Sequence, residues 1–133
     1  MAEADGTEQQ RGAGPEQVYA WYTLGLERLA GGQPRAAAEV LELAAEAEPE
    51  QASLHEALGR AYLASRQDDR ARAAFEQVLE LHPADAYAHY GMGRCYERTG
   101  DVAAAEKHLK LACALFPREE YRRVLARVAA RRR

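Results

Sequence analysis

The amino-acid sequence contains no isoleucine and no asparagine, and lysine occurs only at Lys107 and Lys110. These three amino acids have AT-rich codons, so their scarcity favours a GC-rich bacterial genome as the source. Cysteine is also scarce, with only Cys95 and Cys113 present. Two cysteines are too few for a disulfide framework, which favours a reducing compartment, and we expect the protein to be cytoplasmic.

Long apolar segments are missing as well. No run of residues approaches the ~20 apolar residues that span a bilayer, so we expect no membrane association. Residues 1–14 carry Glu3, Asp5 and Glu8 and have no apolar core, which argues against a secretory signal peptide. Their polar, glycine-containing composition predicts a disordered N-terminal tail.

What the sequence does contain is an internal repeat with a period of 34 residues. Glycine, proline, alanine and large apolar residues each recur at this period. The repeated positions are Gly25, Gly59 and Gly93; Pro49, Pro83 and Pro117; Ala37, Ala71 and Ala105; Trp21, His55 and His89; Leu24, Leu58 and Met92; Leu41, Phe75 and Leu109; Ala44, Val78 and Ala112. Agreement at several independent positions excludes a chance match.

Each unit has the apolar periodicity of two helices joined by a short polar turn. In the third unit, Gly100 is expected to end one helix and Asp101 to begin the next. Pro15 and Pro34 suit the first position of a helix. The repeated glycines lie inside helices, where glycine costs about 1 kcal/mol relative to alanine. We expect the missing side chain to permit a close approach of the paired helix, with the repeated alanines opposite the glycines.

The pattern Trp21…Leu24-Gly25…Ala37…Leu41…Ala44…Pro49 and its two copies resemble the tetratricopeptide repeat family. The resemblance implies an all-α fold, a right-handed superhelical array of antiparallel helix pairs with about seven helices. Repeats are expected at residues 18–51, 52–85 and 86–119, with a capping helix at 118–131, so that the domain covers residues 15–131. Arg28 departs from the family, which has an aromatic residue at the positions of Tyr62 and Tyr96, and this predicts a less rigid first helix pair.

The resemblance also implies that the first helix of each pair lines a concave groove for a partner peptide or helix. The groove face is predicted to carry Tyr19, Tyr22, Leu26 and Ala30; Ser53, Glu56, Arg60 and Ala64; and Tyr87, Tyr90, Arg94 and Arg98. Tyrosine and arginine are enriched at binding hot spots. Packing against a neighbouring repeat is the alternative interpretation. The helical phase favours that role for Tyr62, Tyr96 and Tyr121, and groove exposure for Tyr19, Tyr22, Tyr87 and Tyr90.

One family variant clamps the C-terminal carboxylate of heat-shock chaperones through Lys, Asn and Arg. The equivalent positions hold Tyr22, Leu26, Ala57, Tyr87 and Gly91, so the resemblance does not imply that activity here. We expect instead an adaptor or scaffold for a protein segment with apolar anchors and an acidic group. An alternative is a self-assembling structural module that makes contact through the first repeat.

A further alternative concerns the basic C-terminus, where residues 117–133 hold seven arginines against two glutamates. The candidate surface comprises Arg123, Arg127, Arg131, Arg132 and Arg133. A solvated helix face is the simpler interpretation. Contact with an acidic surface or with nucleic acid is the other. No base-stacking pattern accompanies the arginines, which disfavours nucleic acid as a partner.

Residue patterns of metal sites and nucleotide-binding loops are absent. Neither a His-x-x-x-His pair with glutamate nor a Cys-x-x-Cys pair occurs. His55 and His89 share the repeat position of Trp21, which favours a packing role. We therefore expect no catalytic residue, no metal, no cofactor and no enzymatic activity.

Overall fold

A computed structural model describes residues 12–132, and these contain seven helices and no strand. The helices are α1 (Pro15–Ala30), α2 (Pro34–Ala47), α3 (Ala52–Ala64), α4 (Asp68–Leu81), α5 (Ala86–Thr99), α6 (Val102–Leu115) and α7 (Glu119–Ala130). Each helix packs mainly on its neighbours in the chain, and the first helices of successive pairs also touch, α1 with α3 and α3 with α5. The predicted all-α array of helix pairs is confirmed. Residues 1–11 of the predicted tail lie outside the described residues.

The turn inside each helix pair contains one residue in the left-handed backbone region. These residues are Gly32, Arg66 and Gly100, with φ of 75°, 65° and 88°, and they stand one repeat apart. Glycine adopts this conformation without a steric penalty, whereas arginine does not. Gly100 ends α5, and the Asp101 carboxylate accepts a hydrogen bond of 3.1 Å from Ala104 N at the start of α6, as predicted.

The repeated glycines mark the closest approach of the paired helices. A Cβ atom on Gly25 would lie 2.5 Å from Leu41 Cγ, and one on Gly93 would lie 2.6 Å from Leu109 Cγ. On Gly59 it would lie 2.8 Å from the Phe75 ring. The side chain over each glycine is therefore the large residue of the second helix, and not the repeated alanine that we expected there. Those alanines, Ala37, Ala71 and Ala105, are fully buried beside it.

Helix α7 closes the last repeat with an apolar stripe. Tyr121, Val124 and Val128 are buried against Leu109 and Tyr90 of the third pair. Their burial removes from water a face that would otherwise stay exposed at the end of the array. The helix is one residue shorter at each end than the predicted segment 118–131.

Arg28 takes the place of an aromatic residue in the first pair, and its side chain makes a hydrogen bond to the second helix of that pair. Its Nη1 donates a hydrogen bond of 2.9 Å to the main-chain oxygen of Ala36 in α2. The half-buried guanidinium thus links the two helices of the first pair through a polar contact. The lower rigidity predicted for this pair stays a prediction.

Candidate functional site

The first helices α1, α3 and α5 present the predicted groove residues on neighbouring surfaces. Exposure varies strongly along this face. In α1, Tyr19 is 68% exposed, and Tyr22 and Leu26 are half-buried. In α3, Ser53 and Arg60 are exposed, and Glu56 is half-buried between them. The part of the face formed by α1 and α3 is therefore partly exposed to solvent.

A cleft of about 300 Å³ lies at the N-terminal ends of α1 and α3. Val18 and Leu54, both buried, belong to its lining, and Tyr19 and Tyr22 form one side. The remaining lining residues are Pro15, Glu48, Gln51 and Ser53. An apolar floor with aromatic and polar sides is typical of sites that hold one side chain of a bound segment. Pattern analysis identified Tyr19, Tyr22 and Ser53 but missed Glu48 and Gln51, which lie in the loop between repeats.

The centre of the face contains two neighbouring carboxyl groups, Glu56 of α3 and Asp85 just before α5. Asp85 caps α5, because its Oδ1 accepts a hydrogen bond of 2.9 Å from Ala88 N. Burial raises the pKa of Glu56, and the Asp85 carboxylate raises it further, while Arg60 opposes the shift. Burial and the neighbouring carboxylate thus disfavour the charged form of Glu56, whereas the side chain of Asp85 serves as the helix cap.

Tyr87 of α5 is half-buried, and its ring packs on the core of the array. The ring meets Phe75 edge-on with centroids 6.0 Å apart, and Tyr90 lies at 5.8 Å. Burial raises the pKa of the Tyr87 hydroxyl, and nearby Arg60 partly offsets this effect. Tyr87 consequently contributes a rigid wall to the face and exposes only part of its surface.

The exposure predicted for Tyr90 is wrong. Tyr90 is only 3% exposed, its ring stacks on Tyr121 of α7 at a centroid distance of 4.7 Å, and its hydroxyl donates to Glu120 at 2.8 Å. Arg94 Nη1 donates to the same hydroxyl at 3.0 Å. Helix α7 therefore covers the groove face of the last repeat, and Tyr90 belongs to the core.

Two of the three arginines predicted for the groove are engaged within the chain. Arg98 Nη1 lies 3.0 Å from Asp68 Oδ1 and donates to the Leu63 oxygen at 2.6 Å. Arg94 forms an ion pair of 3.7 Å with Glu97 in addition to its contact with Tyr90. Arg98 joins α5 to α3 and α4, whereas the contacts of Arg94 lie within α5. Arg60 is thus the exposed arginine that remains on this face.

Two arginines of the basic C-terminal surface are paired with carboxylates, and a third contacts a main-chain oxygen. Arg127 holds Glu97 with two hydrogen bonds of 2.7 Å, and Arg131 reaches the Glu97 main-chain oxygen at 3.4 Å. Arg132 pairs with Glu106 at 3.0 Å. These contacts join α7 to α5 and α6. Arg123 is exposed, as are the three arginines that make these contacts, and Arg133 lies outside the described residues.

The histidines of the second and third repeats have a shared structural role. His55 Nε2 and His89 Nε2 lie 2.8 Å and 3.0 Å from the oxygens of Pro49 and Pro83, one repeat apart. Each ring thereby holds the end of the preceding helix. Within residues 12–132, no three His, Cys, Asp or Glu side chains come close enough together to hold a metal ion.

None of the helices in the described part of the chain is both long enough and apolar enough to cross a lipid bilayer. Both cysteines are free thiols. Burial raises the pKa of the Cys95 thiol to about 12, with Asp68 adding to the effect.

A family model for the tetratricopeptide repeat matches residues 22–69 and 57–120. The chain therefore belongs to the tetratricopeptide repeat family, as the repeated residues indicated. A comparison with curated protein sequences finds no match.

Solved structures with the same fold include two complexes with peptides. The Yersinia enterocolitica type III secretion chaperone SycD, in complex with a peptide of the translocator YopD, superimposes with a TM-score of 0.81 at 16% identity; 90% of this chain and 98% of that chain are covered. The first repeat domain of Spaghetti (RPAP3), bound to an HSP90 peptide, has a TM-score of 0.84 at 15% identity, with 90% and 95% covered. At such low identities the likeness concerns the fold.

Proposed function

We propose that this protein is an adaptor that binds a segment of a partner protein on the face formed by α1, α3 and α5. The observation that carries the proposal is the cleft between α1 and α3, with Tyr19 exposed beside it. A large exposed aromatic ring next to a concave, partly apolar surface is costly in water and is typical of a binding site. Solved structures with this fold include complexes with peptides, which supports the binding of a partner segment by this chain as well.

The partner segment carries an apolar anchor. Val18 and Leu54 form the floor of the cleft, so a branched or aromatic side chain would bury apolar surface there. Tyr19 and Tyr22 contribute contact area with little loss of conformational entropy. The rim residues Gln51 and Ser53 supply hydrogen-bonding groups for the main chain of an extended or helical segment.

The polar part of the site favours a single acidic group in the partner. Arg60 is exposed one turn after Glu56 and offers a two-pronged donor for a carboxylate. Glu56 and Asp85 next to it disfavour a strongly acidic segment, because additional carboxylates would meet like charge. The proposed contacts with the partner do not include Arg94 and Arg98, because both side chains already form ion pairs within the chain.

The proposal contains no catalytic step. We propose that the protein acts in a reducing compartment, the cytoplasm of a bacterium. The two free thiols support this location. Contact with nucleic acid through α7 receives little support, because Arg127 and Arg132 are paired with Glu97 and Glu106. We therefore expect the partner to be a protein.

A displayed library of random peptides tests the proposal. Peptides selected on the wild-type protein should share an apolar residue and one acid a few positions away. Tyr19→Ala should weaken their binding by about tenfold or more, the loss expected for a hot-spot residue. Phe116→Ala is the matched control, because Phe116 is also an exposed aromatic residue, at 59%, and lies outside the cleft.

Charge reversal tests the polar part separately. Arg60→Glu should abolish the preference for an acidic peptide, whereas Arg123→Glu, at another exposed arginine, should preserve it. Selected peptides that bind equally well to the Tyr19→Ala and wild-type proteins would show that the cleft is not the site.

A further inference from the structure

The second helices of the three repeats carry charges of opposite sign at equivalent positions. At one position the repeats hold Glu39, Ala73 and Lys107; at the next they hold Glu42, Glu76 and Lys110; at a third they hold Glu46, Glu80 and Ala114. These side chains are exposed, apart from the half-buried Glu42. The same helix face is thus acidic in α2 and basic in α6.

Two crevices of about 530 Å³ each lie on this face, one at either end of the array. The acidic crevice contains Glu39, Glu42 and Glu46 around Leu43, and its lining includes no lysine or arginine. Leu43 stands exactly two repeats before Leu111, which occupies the other crevice. Four lining positions are therefore equivalent in the two crevices, and the crevices are opposite in charge.

The basic crevice contains Lys107, Lys110 and Arg132 around Leu111, with Glu106 as its one acid. Lys110 and Arg132 lie 3.2 Å and 3.0 Å from Glu106, which neutralises one of the three positive charges. Two positive charges remain in excess. In the acidic crevice, Glu42 accepts a hydrogen bond from the Tyr62 hydroxyl, which carries no positive charge.

Exposed apolar side chains accompany the basic crevice. Leu111 is 39% exposed, Leu115, one turn further along α6, is 43% exposed, and Phe116 is 59% exposed. Together with Tyr19 they are the large apolar residues that the described chain leaves in water. Apolar side chains with charged residues around them have the composition of an interface core and rim.

We propose that this outer face binds a second copy of the chain across a two-fold axis. In an antiparallel arrangement the acidic crevice of each copy meets the basic crevice of the other, so complementary contacts form twice. A parallel arrangement would bring like charges together. A two-fold interface of this kind is closed, since both patches of each copy are used, and a dimer results instead of a filament.

This face belongs to α2 and α6, whereas the proposed peptide cleft lies between α1 and α3. Dimerisation therefore leaves both peptide clefts free. The inference does not depend on the proposed adaptor function.

Two charge-reversed proteins test the proposal. One carries Lys107→Glu and Lys110→Glu, which makes both crevices acidic, and the other carries Glu39→Lys and Glu46→Lys, which makes both basic. Because these side chains are exposed, circular dichroism should show native helix content in both. Each variant alone should be monomeric, and an equimolar mixture should form a heterodimer.

Sedimentation velocity over a range of concentrations at low salt provides the measurement. Wild-type protein should change from the monomer mass to twice that mass as concentration rises, and added salt should reverse the change. Glu16→Lys with Glu27→Lys, on α1, is the matched control and should dimerise like the wild type. Wild-type protein that stays monomeric, variants that still dimerise alone, or a mixture that does not associate would each overturn the proposal.

Discussion

The contact between Gly91 and Phe75 offers a sharp test of the packing between repeats. Phe75 is fully buried, and Gly91 of the next repeat lies so close that a Cβ atom there would be 2.5 Å from the ring carbons Cε2 and Cζ. Gly59, in its own repeat, confines the ring from the other side, with a Cβ distance of 2.8 Å. The ring therefore has no room to move away from a Gly91→Ala substitution.

The expected energies follow from these distances. Overpacking costs about 1–3 kcal/mol, while alanine gains about 1 kcal/mol over glycine within a helix. Gly91→Ala should thus destabilise the wild-type protein by up to about 2 kcal/mol. Phe75→Ala alone should cost about 3–5 kcal/mol. With the ring removed, Gly91→Ala should stabilise the protein by about 1 kcal/mol, so the effect of the same substitution changes sign.

Urea unfolding, monitored by circular dichroism, is measured for the wild type, Gly91→Ala, Phe75→Ala and the double variant. We expect a coupling energy of about 1–3 kcal/mol between positions 75 and 91. Gly25→Ala serves as the control in the Phe75→Ala background, because its Cβ would meet Leu41 and its cost should persist. Additive effects, with a coupling below about 0.5 kcal/mol, would refute the close approach.

Three other predictions concern the turn, the C-terminal helix and the thiols. Arg66→Gly should raise the free energy of unfolding by up to about 1 kcal/mol in urea titrations, since Arg66 has a φ of 65°; a loss of stability would contradict this. Arg127 lowers the pKa of Glu97, so this pair stabilises the fold above the unfolded pKa and the contribution is lost as pH falls through the folded pKa. Glu97→Gln should therefore flatten the fall in melting temperature between about pH 5 and 3, and an unchanged slope would exclude the pair as its source. Iodoacetamide should modify half-buried Cys113 before buried Cys95, whose pKa is raised to about 12; equal rates by mass spectrometry would contradict the burial.

The period of 34 residues was sufficient to predict the helix pairs and their class. The glycines, prolines and apolar positions each act locally or on an adjacent helix, so the sequence pattern contains the information. The turn at Gly100 and Asp101 is an example, because both residues act on the backbone next to them. The side chain opposite each glycine was predicted less well, since Leu41 and Phe75 are long enough to reach past the alanines.

The burial of Tyr90 could not be predicted from helical phase. Phase places its side chain on the groove face of α5, but what covers that face is determined by α7, about 30 residues later. The arginines present the same difficulty. Arg98 meets Asp68, and Arg127 meets Glu97, each across about 30 residues of chain. Charge partners at that separation depend on how the repeats stack, which periodicity does not specify.

Mapping of a bound peptide by backbone amide NMR tests the adaptor function most directly. A peptide selected from the displayed library would be titrated into isotopically labelled protein. Binding in the cleft should shift the amide resonances of α1 and α3, above all those near Tyr19, Tyr22 and Ser53, and leave those of α6 unchanged. Shifts concentrated on α6, around Leu111 and Leu115, with none near Tyr19, would contradict the proposed site.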